Sequence, residues 1–304
     1  MKDKLQNLKI LITGGTGFVG VNLTRFLLDR DHQVFATGTS RRHPLSGRQN
    51  FHFISADTTQ QGPWQDLVPE SDIIINLAGR SIFHYWTQKY KTQIYDSRIL
   101  TTRNIVDALP EQNEILLCSA SAAGYYGNRA DQLLTESADP GNDFLARVCI
   151  DWEKEAFRAA QKGSRVVAMR FGVILGPDGG ALLKMVPAYK LFVGGPLGNG
   201  SQWFPWIHIQ DLTSAVAFII ENNEINGPVN FCAPGAIQNR TFSQALAHVL
   251  KRPAVFKTPA FVLKTIMGEL GEAFLASQRV VPEKLENHGF GFACPDIDSA
   301  LSTI

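Results

Sequence analysis

Short, continuous apolar runs alternate with stretches of helical periodicity through the first half of the chain. The runs fall at 10–13, 34–37, 51–54, 73–77, 115–119 and 166–170. Unbroken apolarity, rather than alternation, marks strands buried on both faces, as in a parallel sheet covered by helices. Helices are predicted between them at 19–30, 87–109 and 144–162. The strand–helix alternation predicts an α/β fold with a doubly wound parallel sheet.

After Gly176-Pro177 the texture changes. Glycine-rich loops follow (Gly179-Gly180, Gly194-Gly195-Pro196, Gly198-Asn199-Gly200), then a predicted helix at 211–221 and a strand at 229–231. Helical stretches separated by Pro253, Pro259, Pro282 and Pro295 complete the chain. The expected division is a nucleotide-binding domain over 1–176 and a smaller C-terminal substrate lid over most of 177–304. The segment at 206–225 is expected to pack back on the first domain.

The first strand runs into Gly14-Gly15-Thr16-Gly17-Phe18-Val19-Gly20 and then into a helix. One glycine of such a loop permits a tight turn, another clears the approach of a pyrophosphate, and the last lets helix and strand come close. The helix N-terminus offers free N–H groups and a partial positive charge to the phosphates. Strand before, helix after and a βαβ series beyond supply the context that makes this pattern a Rossmann-type dinucleotide loop. Gly14, Thr16, Gly17, Phe18, Val19 and Gly20 are therefore candidate cofactor contacts.

The end of the second strand separates NAD from NADP. An NAD site carries a carboxylate there for the ribose hydroxyls, but this chain reads Ala36-Thr37-Gly38-Thr39-Ser40-Arg41-Arg42. An Arg fork can grip a 2′-phosphate that a carboxylate would repel. The expected cofactor is NADP, with Thr39, Ser40 and Arg41 at the phosphate. The alternative is two solvated arginines in a loop.

Asn76-Leu77-Ala78-Gly79 and Trp206-Ile207-His208-Ile209-Gln210-Asp211-Leu212 resemble motifs of the extended short-chain dehydrogenase/reductase superfamily, the group of the nucleotide-sugar epimerases. The resemblance implies that Leu77, Ala78 and Gly79 border the adenosine side of the cofactor and that Asp57 stands near the adenine amino group. Narrower strings include Ser97-Arg98-Ile99-Leu100-Thr101-Thr102, Ser119-Ala120-Ser121-Ala122-Ala123-Gly124-Tyr125-Tyr126-Gly127 and Arg252-Pro253. They resemble a YfcH-like branch of epimerase-family proteins, whose C-terminal module would run here from 247 to 301.

The chain departs from that superfamily in its catalytic equipment. Members carry Tyr-x-x-x-Lys on the helix after the fifth strand, where the phenol exchanges a proton and the Lys lowers its pKa. Aligned through Glu153, the matching positions here are Leu145 and Cys149. Neither can do that work. Ser121 matches the family serine that hydrogen-bonds substrate, and Tyr125 and Tyr126 are candidate substitute acids, with packing of the cleft wall as their alternative. Arg98 stands where the superfamily presents an Asn to the cofactor. It is expected to contact cofactor phosphate or ribose, against the alternative of a salt bridge to a neighbouring helix. Ile174 falls in the stretch that resembles the loop beneath the nicotinamide. Trp203, Phe204 and Trp206 are expected mainly in packing, and His84 and His208 are expected to be structural.

Composition narrows the partners. With 29 basic and 28 acidic residues the net charge is +1, so neither nucleic acid nor an anionic membrane is an expected partner. Cys118, Cys149, Cys232 and Cys294 are widely spaced and are expected as free thiols rather than disulfides or metal ligands. The polar run at 1–9 lacks the apolar segment of a signal peptide, so a cytoplasmic protein is expected. The substrate is expected to be a small molecule, and the helices at 87–109 and 144–162 are candidates for pairing a homodimer. Two readings stand: an NADP(H)-dependent oxidoreductase or epimerase with unusual acid–base residues, and a non-catalytic NADP(H)-binding sensor or interaction protein.

Overall fold

The computed structural model describes residues 7–177 and 179–303. Residues 1–6, 178 and 304, which fall within the expected N-terminal run and domain spans, lie outside them. Chain order begins β1 (Lys9–Thr13), α1 (Phe18–Leu28), β2 (Gln33–Gly38), β3 (Phe51–Ser55), β4 (Ile73–Asn76), α2 (Gln88–Ala108), β5 (Leu116–Ala122) and β6 (Leu133–Leu134). Next come α3 (Phe144–Phe157), β7 (Arg165–Phe171), β8 (Val173–Leu175), α4 (Leu182–Lys190), β9 (Trp203–Phe204), β10 (Trp206–His208) and α5 (Ile209–Glu221). The remainder is β11 (Gly227–Phe231), β12 (Ile237–Gln238), α6 (Asn239–Val249), α7 (Ala260–Met267), α8 (Glu269–Leu275), β13 (Arg279–Val280), α9 (Glu283–Asn287) and α10 (Ile297–Leu301).

The central sheet has the order β11-β7-β5-β4-β1-β2-β3, and every pairing in it is parallel. The order reverses between β1 and β4, and the crevice at the carboxyl ends of such a pair is where open α/β sheets bind ligands. Alternate residues of β1 serve opposite faces. Ile10 and Ile12 pack with Leu23 and Leu27 of α1 and with Leu212, Val216 and Ile219 of α5. Leu11 joins Ile105 and Val106 of α2 and Ala156 of α3 on the other side.

The helix α5 thus shares a core with α1. The seventh strand, β11, lies beyond the segment expected to return to the sheet, so the sheet takes in residues that the chain's texture assigned to the lid. A second cluster, with Leu182, Tyr189, Phe242, Leu246, Ile297 and Leu301, holds α4, α6 and α10 together as the smaller lobe. Asp211, buried at the start of α5, accepts hydrogen bonds from the backbone N–H groups of Ala293 (2.7 Å) and Cys294 (3.0 Å). That carboxylate ties the lead-in of α10 to the sheet domain. The four cysteines are free and buried. Among the described residues no helix is long and apolar enough to cross a membrane.

Candidate functional site

The glycine loop closes β1 onto α1 at the switch point. Gly14 has a φ of +71°, and a Cβ there would stand 2.7 Å from the Leu77 carbonyl oxygen and 2.8 Å from the Ala78 nitrogen. The loop therefore rests on the backbone of the segment after β4. A Cβ on Gly20 would fall 2.5 Å from the Gly14 carbonyl oxygen, which is the close helix–strand approach the motif requires. Gly17 caps α1 without any side chain on its free N–H groups, and no acidic residue stands in the first turn. The N–H groups at Phe18, Val19 and Gly20 make an open anion cradle, so the residues present fit a dinucleotide pyrophosphate. The Phe18 ring packs where Gly176 and Gly180 leave room, within 3.0 and 3.1 Å of the points their Cβ atoms would occupy. It binds the loop after β8 to the phosphate loop.

Beside this cradle, the Thr16 hydroxyl lies against Gly38 at the end of β2, 2.7 Å from where a Cβ would be. Thr39, Ser40 and Arg41 follow directly and are exposed. Asp57, also exposed, accepts from the Thr59 backbone N–H (3.0 Å) and hydroxyl (2.7 Å) in a turn just after β3. This segment is anchored by His43. Its Nδ1 accepts from the Leu45 N–H at 3.1 Å, which leaves Nε2 to donate to the Gly15 carbonyl at 3.0 Å. Burial pushes the pKa of His43 below its ordinary value, opposed by the Gly15 bond. Nothing in the residue pattern marks His43 beyond its place two positions after Arg41.

Gly79 and Ala78 follow β4, whose Asn76 is fully buried and accepts from the Thr13 hydroxyl (2.7 Å) while donating to Thr102 (2.8 Å). Arg98, one turn earlier on α2 than Thr102, reaches back over this segment. Its guanidinium carbon is 3.1 Å from where a Cβ on Gly79 would stand. Its Nη1 donates to the carbonyls of Arg80 (3.1 Å) and Ile94 (2.9 Å), and the group sits 5.2 Å from the Trp152 ring centre. No carboxylate forms a salt bridge with it among the described residues, so the helix-to-helix ion pair is not how Arg98 is held. Burial lowers its pKa, opposed by the nearby Cys149 thiol. Burial, with Glu153 adding to it, pushes the Cys149 thiol up to about 12. Cys149 is therefore a neutral neighbour of Arg98.

Leu145, in the tyrosine position, packs into a cluster with Trp86, Ile94, Met267, Leu270 and Phe274. Three of these come from α7 and α8, so the C-terminal module roofs the place where the superfamily exposes a phenol. Lys91 of α2 pairs with Glu269 of α8 at 2.7 Å and fastens that roof.

The three candidate polar catalytic residues separate sharply. The Ser121 hydroxyl is buried and donates to Glu153 Oε1 at 2.6 Å. Glu153 in turn accepts two bonds from Arg170, both 2.8 Å, in a buried bidentate pair. Tyr126 is fully buried. Its hydroxyl donates to Asn230 Oδ1 (2.7 Å) and accepts from Arg170 (2.9 Å), and burial pushes its pKa up. Both side chains belong to one internal network with Glu153, Arg170 and Asn230. Tyr125 differs. It is half-buried, its ring lies 3.5 Å below the Arg170 guanidinium, and its hydroxyl has no hydrogen-bond partner among the described residues. Ile174 sits on β8, paired with Ile207 of β10. Trp203 donates to Asp131 at 2.7 Å and carries Arg279 over its ring at 4.6 Å, while Trp206 is core. His208 is buried against Thr303 at 3.0 Å. Glu153 and Arg170 were visible in the sequence only as an alignment anchor and a strand terminus.

Fold and site together define a dinucleotide-binding protein whose usual Tyr/Lys positions are occupied by leucine and cysteine. The chain belongs to the NAD dependent epimerase/dehydratase family, whose profile matches residues 10–232. Residues 258–304 match a domain of unknown function, DUF1731. The chain is 37% identical over 300 residues to the epimerase family protein YfhF of Bacillus subtilis, covering 98% of each. It is 40% identical over 299 residues to the epimerase family protein SH2119 of Staphylococcus haemolyticus, covering 97% of this chain and 98% of that one. The human epimerase family protein SDR39U1 (isoform2), crystallised with NADPH, superposes with a TM-score of 0.86 at 28% identity, over 98% of this chain and 99% of the other.

Proposed function

We propose that this chain is an NADP(H)-dependent oxidoreductase of the epimerase type that acts on a small molecule without a Tyr/Lys pair, Arg98 supplying the fixed positive charge. The carrying observation is the Arg98 guanidinium set against Gly79 without a carboxylate partner. The human relative's NADPH supports the cofactor choice. So do the exposed Thr39, Ser40 and Arg41 at the end of β2, where a 2′-phosphate would be held. The α1 N-terminus holds the pyrophosphate, and Leu77, Ala78 and Asp57 border the adenosine. NADPH, when bound, supplies a hydride. Arg98 stabilises negative charge in the cleft, and Tyr125, half-buried and without a hydrogen-bond partner among the described residues, hands over the proton. The free, buried thiols fit a reducing compartment such as the cytoplasm.

NADPH oxidation across carbonyl and sugar-nucleotide substrates tests this reading. Turnover that Arg98→Leu and Tyr125→Phe both abolish supports it. Arg41→Ala is expected to weaken NADPH binding and spare NADH. Equal affinity for both cofactors, unchanged by Arg41→Ala, would refute the NADP assignment.

The seal over Leu145 favours a second reading, a non-catalytic NADP(H)-binding sensor or interaction protein. Tight NADPH binding with no turnover across the whole screen would select it.

A further inference from the structure

Acidic residues are missing from two long segments. Residues 179–210 and 225–268 contain no Asp or Glu, yet hold seven of the chain's 29 Lys and Arg. The fold joins these segments. The Thr258 N–H donates to the Pro196 carbonyl (3.1 Å) and the Gly198 N–H to the Thr258 carbonyl (2.8 Å). Arg252 lies 5.1 Å from the centre of the Phe192 ring. All seven cations are exposed, with Lys251, Arg252 and Lys257 beside the joined loops.

Exposed apolar side chains are concentrated in the same two segments. Among the described residues, eight of the eleven large hydrophobics that stand exposed lie in these two segments. They include Leu191 (72%), Phe192, Val255 (71%), Phe256, Phe261 (71%) and Ile266. Helix α7 buries only Leu263 and turns Phe261, Lys264 and Ile266 outward. Single exposed hydrophobics need no explanation, but a cluster of them ringed by one sign of charge marks a binding surface. Glu269 and Glu272, the next acids along the chain, are paired with Lys91 and Lys264.

We propose that this face of the smaller lobe docks on an anionic lipid bilayer. The apolar residues of 191–193, 255–256 and α7 enter the headgroup boundary, and the surrounding lysines and arginines lie over the lipid phosphates. The charge argues against a second copy of the chain as the occupant, because an isologous pair would set the same excess of cations against itself. The mode is interfacial, since no described helix is long and apolar enough to span. A near-neutral net charge hides the feature, because the balancing acids lie elsewhere in the chain. Helix α7 continues into α8, whose Leu270 and Phe274 roof the Leu145 cluster, so the docking face is continuous with the roof over the cofactor cleft.

Co-sedimentation with vesicles tests the proposal. The full chain is expected to pellet with mixed phosphatidylglycerol–phosphatidylcholine vesicles, to stay in the supernatant with phosphatidylcholine alone, and to be released as salt rises. Reversing two cations, in the Lys251→Glu/Arg252→Glu double variant, is expected to weaken partitioning by about tenfold or more. Phe192→Ser with Phe261→Ser is expected to weaken it by a similar factor, about tenfold. Both double variants are expected to keep the wild-type NADPH affinity, which shows the fold intact. Three results would overturn the proposal: no pelleting with anionic vesicles at low salt, partitioning indifferent to both variants, or a solution dimer that these variants dissociate.

Discussion

The Arg98 guanidinium carbon lies 3.1 Å from the point where a Cβ on Gly79 would stand. The glycine after β4 therefore leaves the space that lets a charged side chain from α2 lie over the backbone there. Gly79→Ala is expected to push Arg98 aside and weaken NADPH binding, while thermal stability holds. Arg98→Leu removes the charge outright, with an expected loss of about tenfold or more in affinity. Titration of each variant with NADPH checks both. Unchanged affinity in Arg98→Leu would mean that the guanidinium serves packing alone.

The buried bonds of Ser121, Tyr126, Glu153 and Arg170 belong to stability. Ser121→Ala and Tyr126→Phe are each expected to cost about 1–3 kcal/mol in denaturant unfolding, because each leaves a buried partner short of a bond. Glu153→Ala is expected to cost more, about 3–5 kcal/mol, since Arg170 would then be a buried charge without its counterion. Tyr125→Phe is the contrast. It is expected to leave stability within about 0.5 kcal/mol while abolishing turnover.

Restoring the superfamily residues is expected to harm the protein. Leu145 is packed against Met267, Leu270 and Phe274, and a Cβ on Gly124 would already stand 3.4 Å from its Cβ. Leu145→Tyr forces a larger, polar side chain into that cluster, at a cost of about 1–3 kcal/mol. Cys149→Lys adds a second cation beside Arg98. The double variant should melt well below wild type and gain no activity, as a thermal scan with an NADPH oxidation assay would show.

His43 predicts acid sensitivity of the cofactor site. It bonds in its neutral form to Leu45 and Gly15, and burial holds its pKa below the ordinary 6.5. With the folded value lower than the unfolded one, its contribution is complete above pH 6.5 and is lost as the pH falls through the folded pKa. His32 and His208 are also lowered by burial, so global stability falls in acid whatever His43 does. The NADPH-to-NADH affinity ratio isolates its part. His43→Gln keeps a donor for the Gly15 carbonyl and should flatten the acid decline of that ratio, whereas His43→Leu should lower the ratio at every pH.

The central sheet was readable because its strands are continuous apolar runs and the phosphate loop has a period and context of its own. The seventh strand was misplaced for an equally physical reason. Gly227-Pro228-Val229-Asn230-Phe231 is short and opens on two strand-breaking residues, and only its pairing with β7 assigns it to the central sheet. The partners of Ser121 and Tyr126 were not readable, because residue type and motif position carry no information about what a side chain faces. Glu153, Arg170 and His43 were not singled out for the converse reason: their partners are 17 to 44 residues away along the chain or, for His43, 28.

What the sequence determined by itself is local and periodic: the strand–helix alternation, the glycine loop, the arginines after β2, and the replacement of Tyr and Lys by Leu145 and Cys149. Each depends on neighbours within a few residues or on an absolute requirement such as the missing Cβ of Gly20. The tertiary structure alone decided which polar groups meet. It closed Ser121 and Tyr126 into the Glu153–Arg170 network, laid Arg98 against Gly79, roofed Leu145 with α7 and α8, and joined two acid-free segments through their loops. Those outcomes depend on distances between residues far apart in the chain, and a linear order of side chains does not encode such distances until the core has packed.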